Sequence, residues 1–86
     1  MSKQNKFTID FLSDVDDEII ILHGFEGAIV GVVESQCGFS ALYSYTKCID
    51  ILKRDMSEDD AIEYFDYNVL GLRLEYNPPI FLRDDL

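Results

Sequence analysis

No stretch of this chain approaches the roughly 18 consecutive apolar residues that a membrane-spanning helix needs. The longest apolar segment, 25–33, is interrupted by Glu26, Gly27 and Gly31. The opening residues, MSKQNK, hold no apolar core of the kind a secretory leader requires, so the expected location is the cytoplasm. Only two cysteines occur, Cys37 and Cys48. They form no CxxC pair, and cytoplasmic thiols stay reduced, so two ordinary free thiols are expected. His23 is the sole histidine. It has no Cys or His companion at metal-ligand spacing. A Cys37–His23 or Cys48–His23 dyad exists on paper only, and His23 reads as a strand-end residue. No catalytic set, metal or cofactor is assigned, and the chain is not expected to be an enzyme.

Positive charge is the other shortage. Seven Lys and Arg face seventeen Asp and Glu, for a net charge of −10. A field of that sign repels phosphate, which excludes direct binding to nucleic acid or an anionic membrane. It attracts a basic protein surface, such as the groove of a nucleic-acid enzyme. The glycines of GFEGAIVG are not spaced as a phosphate-binding loop, and no Lys-Ser/Thr follows. The acidic run DVDDE, 14–18, fails as a calcium loop: Ile19 stands where the sixth-position glycine belongs and Phe25 where the bidentate glutamate belongs. It reads as a solvated turn.

What is present is a foldable domain. The chain has 86 residues, 48% of them hydrophobic. That length supports one domain that buries about 60–65% of its unfolded surface, with little margin, so a homodimer would help it. No repeat, linker or low-complexity segment appears. Residues 1–6 are read as disordered.

FTIDFL, 7–12, alternates apolar and polar, a strand pattern. IIILH, 19–23, is β-branched and strand-like. Gly24 and Gly27 bracket a reversal. AIVGVVES, 28–35, is apolar on both faces and predicts a central strand, with Gly31 at a bulge or a close backbone approach. After a turn at QCG, FSALYSY, 39–45, alternates again. The period then changes. TKCIDILKR, 46–54, places Cys48, Ile49 and Leu52 at helical spacing. Ser57 caps a second helix that buries Ala61, Ile62, Phe65 and Val69 and stops at Gly71. LRLEY, 72–76, alternates as a strand, NPP breaks it, and IFL, 80–82, is left open between a short final strand and a loop. Strands gathered ahead of helices predict an α+β fold: a mostly antiparallel sheet of four to five strands with a helical hairpin on one face.

Three segments, GFEGAIVGV (24–32), YSYTKCIDIL (43–52) and MSEDDAIEYFDYNVLG (56–71), carry a resemblance. Together with NPPIF near the end, they resemble blocks of a family of short, largely uncharacterised proteins often encoded by bacteriophages. The likeness spans residues 19–82. Ser44 stands where the family pattern has an acid, and 73–77 depart from its tail. The resemblance implies a phage origin and a host cytoplasm, but no chemistry.

The second helix carries Glu58, Asp59, Asp60, Glu63 and Asp66 and no basic residue. That composition excludes it as a DNA-reading helix. The first three acids suit the positive end of the helix dipole. Asp59, Glu63 and Asp66 instead stack at i, i+4 and i+7, where like charges repel. Tyr67 extends that face and Tyr64 borders it, and Tyr is a favoured interface anchor. This face reads either as the solvated side of a core helix or as a partner-binding surface, and on the second reading the partner-binding residues are Asp59, Glu63, Asp66 and Tyr67, flanked by Asp55. The expectation is a small acidic accessory protein that modulates or inhibits a host protein, as a nucleic-acid mimic or anti-defence factor. The alternative is a homo-oligomeric assembly protein without a host target.

Overall fold

Thr8 opens the first element. Its hydroxyl accepts the Phe11 N–H at 3.1 Å, which caps a short helix, α1, Ile9–Val15. The computed structural model describes residues 8–71 and 76–86. Within them the order is α1, a 3-10 turn (Glu26–Ala28), β1 (Ile29–Ser35), β2 (Gly38–Ser44), α2 (Tyr45–Leu52), α3 (Glu58–Phe65), a π-helical turn (Asp66–Leu70) and β3 (Ile80–Leu82). The fold is α+β. The sheet, however, is three-stranded and mixed, in the order β1-β2-β3, not a four- to five-stranded antiparallel one.

Two expected strands account for part of the difference. Over 7–12 the chain is helical from Ile9 onward. Of the residues read as a strand face, Ile9 and Phe11 are exposed, while Leu12 is the one fully buried residue of α1. Over 19–23 the backbone pairs with no strand among the described residues. Ile19 is buried there, and the segment is tied down by the Leu22 N–H, which donates to the Tyr43 hydroxyl at 2.9 Å. The expected strand over 72–76 lies outside the described residues save for Tyr76, and the expected disorder of 1–6 lies wholly outside them.

β1 and β2 form an antiparallel hairpin in which Val32 faces Ala41 and Val33 faces Ser40. The register slips between Ile29 and Gly31, so Val30 is the extra residue of a bulge, at the place the glycine indicated. A Cβ on Gly31 would make only ordinary contact with Leu42, so the bulge, not close approach, is its role. β1 lies at the edge of the described sheet and β2 is central. β3 runs parallel to β2, pairing Leu42 with Ile80 and Tyr43 with Phe81.

The core gathers on the face that carries Ile29, Ala41, Tyr43 and Phe81. Phe65, fully buried on α3, is its hub. Its ring meets those of Phe25, Tyr45 and Phe81 edge-on at centroid distances of 6.1, 5.3 and 5.2 Å. The Ser40 hydroxyl is buried with no hydrogen-bond partner among the described residues.

Two polar joints close the structure. Asn77, buried and at φ 52°, donates its backbone N–H to the Cys37 carbonyl (2.9 Å) and its amide to the Phe39 carbonyl (2.7 Å) and Asp16 (3.4 Å). It thereby ties the hairpin turn to the end of α1. Asp16, from the run read as a solvated turn, also accepts the Glu18 N–H at 2.9 Å. The second joint is at the start of α2. Ser44 caps the helix by accepting the Lys47 N–H at 3.2 Å, and its own hydroxyl donates to Asp84. Asp84 also accepts the Thr46 N–H at 3.0 Å. These two hydrogen bonds, the Ser44 one first, hold the Asp84 carboxyl below the usual carboxylate range.

Candidate functional site

α3 begins where Ser57 accepts the Asp60 N–H at 3.2 Å, as expected of an N-cap. Ala61 and Phe65 face inward and fix the helix's rotation against the core. The acids and two tyrosines are left outside. After Phe65 the helix widens into the π-helical turn. Such a turn shifts backbone pairing from i→i−4 to i→i−5. The Asn68 side chain donates to the Tyr64 carbonyl at 3.1 Å and so serves the acceptor that its own backbone would serve in a regular helix. Gly71 stops the turn at φ −75°, an ordinary right-handed conformation and not the left-handed cap expected of a terminal glycine. Its role is clearance: a Cβ there would come within 2.9 Å of the Tyr67 carbonyl oxygen.

The widened end of the helix frames an open depression of about 460 Å³ lined by Met56, Asp60, Glu63, Tyr64, Tyr67 and Asn68. Tyr67 is 80% exposed and Tyr64 45%. Neither ring stacks on another among the described residues. Among the described residues, no Lys or Arg lines the depression and neither Asp60 nor Glu63 is in an ion pair.

The five expected partner-binding residues therefore divide. Glu63 and Tyr67 meet in the depression. Asp55, Asp59 and Asp66 are exposed but do not line it. Asp66 instead lies close enough to Tyr45 and Arg83 for its charge to act on both. There the Arg83 guanidinium sits 4.0 Å from the centre of the Tyr45 ring and grips Asp85 with two hydrogen bonds of 2.9 and 2.7 Å. Asp60 and Tyr64 join the site from roles that sequence spacing assigned to capping and to its border. Met56 and Asn68 were not anticipated, and the π-turn that contains Asn68 has no signature in the residue pattern.

A basic patch lies on α2. Lys47, Arg54, Asp50, Ile51 and Gly27 line a depression of about 210 Å³, and neither cation has an ion-pair partner among the described residues.

The nucleophile candidates are not equivalent. Cys48 is fully buried, and burial, reinforced by the Asp84 charge, pushes its thiol up to about 12. It behaves as a small apolar group. Cys37 is exposed on the hairpin turn, and the His23 side chain points to solvent. Among the described residues no group of three or more His, Cys, Asp or Glu could hold a metal ion, and no helix is long and apolar enough to cross a membrane. Comparison of the chain with protein-family models, with curated proteins and with solved structures gives no match.

Proposed function

We propose that this chain is a non-catalytic binding protein that docks through the outer face of α3 onto a basic surface of another protein. The observation that supports this most is the depression beside α3. Two exposed tyrosines and two carboxylates face solvent there without a cationic neighbour among the described residues. Intramolecular stability alone favours a Lys four residues after an acid, and none is there. Solvent-facing aromatic area beside unpaired charge is instead the composition of an interface centre and its rim.

The net charge of −10 sets the sign of the partner. Long-range attraction speeds encounter with a cationic surface and opposes approach to phosphate. Carboxylates held in a row on a rigid helix can stand where phosphates would stand in a nucleic-acid groove. With the phage-type resemblance of 19–82, this makes the chain a cytoplasmic accessory protein that modulates or inhibits a host protein.

The test is affinity capture from bacterial lysate at low and at high salt, with the wild type beside a variant carrying Asp59→Lys, Glu63→Lys and Asp66→Lys. A specific partner held by the wild type, released by salt and lost in the variant is the expected result. Recovery of the same partners by both proteins refutes the reading.

The rival is a homo-oligomeric assembly protein. The basic patch of α2 favours it, because Lys47 and Arg54 of one copy complement the acids of α3 in another. Light scattering separates the two: a monomer at high concentration removes the rival.

A further inference from the structure

We infer that the depression beside α3 receives an arginine side chain of the partner protein, with Tyr64 and Tyr67 against the guanidinium and Asp60 and Glu63 as its counter-charges. This rests on the reading above and names the chemistry of its contact.

The lining sets three requirements. The occupant is cationic, because two carboxylates face the space and no cation among the described residues lines it. It is rich in donors, because the two carboxylates accept only, and the Asn68 amide oxygen is a further acceptor, one N–H of that amide being held by the Tyr64 carbonyl. It has a flat, weakly hydrated face, because the apolar walls are two tyrosine rings and Met56. A guanidinium meets all three, with five donors, no acceptor and a planar surface that stacks on aromatic rings. A lysine ammonium meets the first two but is compact and strongly hydrated. The space, about 460 Å³, exceeds one guanidinium, so backbone flanking the arginine enters as well.

A second observation is independent of the charge. The π-turn at Asp66–Leu70 carries Tyr67 and Asn68. Asn68 and the clearance at Gly71 hold it in place. An interruption of this kind recurs at functional sites, where it re-aims side chains. Tyr64, Tyr67 and Asn68, at i, i+3 and i+4, share a helix face, and all three line the rim.

The experiment is a titration of the isotope-labelled chain, followed by amide shifts, with two peptides of equal charge in the same Gly/Ser background, one carrying arginines and the other lysines. The arginine peptide is expected to bind about threefold to fivefold tighter, the size of one exposed cation–π contact, with shifts centred on Tyr64, Tyr67 and Asn68. Tyr67→Leu keeps apolar area at an exposed position and should erase the ratio while both peptides still bind. Equal affinities in the wild type, or a ratio that survives Tyr67→Leu, overturn the arginine site and leave the electrostatic docking standing. Failure of both peptides to bind overturns both. Self-association without peptide that Arg54→Gln abolishes would seat a second copy in the depression and overturn the assignment to a foreign partner.

Discussion

Replacing Tyr43 by Phe deletes one oxygen from the middle of the fold. The ring stays, with its contact to Phe81 at 5.5 Å, so the apolar core keeps its volume. What disappears is the acceptor of the Leu22 N–H, the bond that pins the 19–25 segment across the central strand. Leu22 is only half-buried, so water reaches the freed donor in part. The cost should fall between the net value of an ordinary hydrogen bond and that of a stranded donor, about 1–2 kcal/mol. In a domain of this size that lowers Tm by roughly 4–16 °C. Thermal and urea unfolding supply the global figure, and hydrogen exchange at the Leu22 amide supplies the local one. Tyr45→Phe is the control. Its hydroxyl makes no hydrogen bond among the described residues and Phe can still stack under Arg83, so stability should move by less than about 0.5 kcal/mol. Unchanged Tm and unchanged Leu22 protection in Tyr43→Phe would refute the idea that this single bond anchors the segment.

Stability should also fall as pH rises above about 9. Burial raises the Cys48 thiol from 9.0 to about 12 and raises the Tyr43 phenol from its ordinary value. Both stay protonated in the fold while the unfolded chain ionises, so the loss begins at the unfolded thiol value and approaches about 4 kcal/mol for Cys48 alone by pH 12. Urea midpoints at pH 8 and pH 10 check it, and Cys48→Ala should flatten the slope between pH 9 and 10. Gly38→Ala should destabilise by about 1–3 kcal/mol, because Gly38 sits at φ +95° and a Cβ would lie 2.9 Å from the Asn77 amide; Gly24→Ala, at φ +92° in open space, carries the strain alone and should cost less in the same urea assay. Ser40→Ala removes a buried hydroxyl that has no partner among the described residues and should be neutral to stabilising by up to about 1 kcal/mol. In Asp84→Asn the Thr46 amide should exchange faster at neutral pH. The carboxylate's contribution is present above the ordinary carboxylate pKa and lost as pH falls through its depressed value, so the variant should lose stability less steeply on acidification.

The parts of the fold legible in the residues are those where local and tertiary signals agree. The hairpin 29–44 has alternation, a turn glycine and β-branched residues, and its bulge is marked by Gly31. α2 has helical spacing at Cys48, Ile49 and Leu52, and α3 has a clear cap in Ser57, whereas the Ser44 cap of α2 lay inside the segment read as a strand. The first 25 residues misled because a six-residue apolar-rich window fits both periods: Ile9 and Phe11 alternate, yet Ile9 and Leu12 are also helix neighbours. The Thr8 cap and Asp10 in the first turn decided for the helix. IIIL has strand propensity, but propensity supplies no neighbouring strand, and a single hydroxyl from Tyr43 takes that place. The parallel pairing of β3 depends on a crossover of nearly forty residues, which no local pattern encodes. In the candidate site, charge and aromatic content were readable, but the division of the acids was not. The π-turn and the Arg83 cluster, which lies within reach of the Asp66 charge, are tertiary facts.

The position of β3 in the chain has a kinetic consequence. Residues 77–84 supply the third strand, the stitch through Asn77 and the carboxylate that caps α2, and they follow every other described element. A chain emerging from the ribosome can form its hairpin and helices early but cannot seal the sheet until residues 77–84 are free. Such late, long-range closure slows folding and leaves a β2 edge open meanwhile. Stalling translation ahead of residue 77 should therefore yield a species that chaperones hold and proteases cut, while release of the completed segment lets it lock shut.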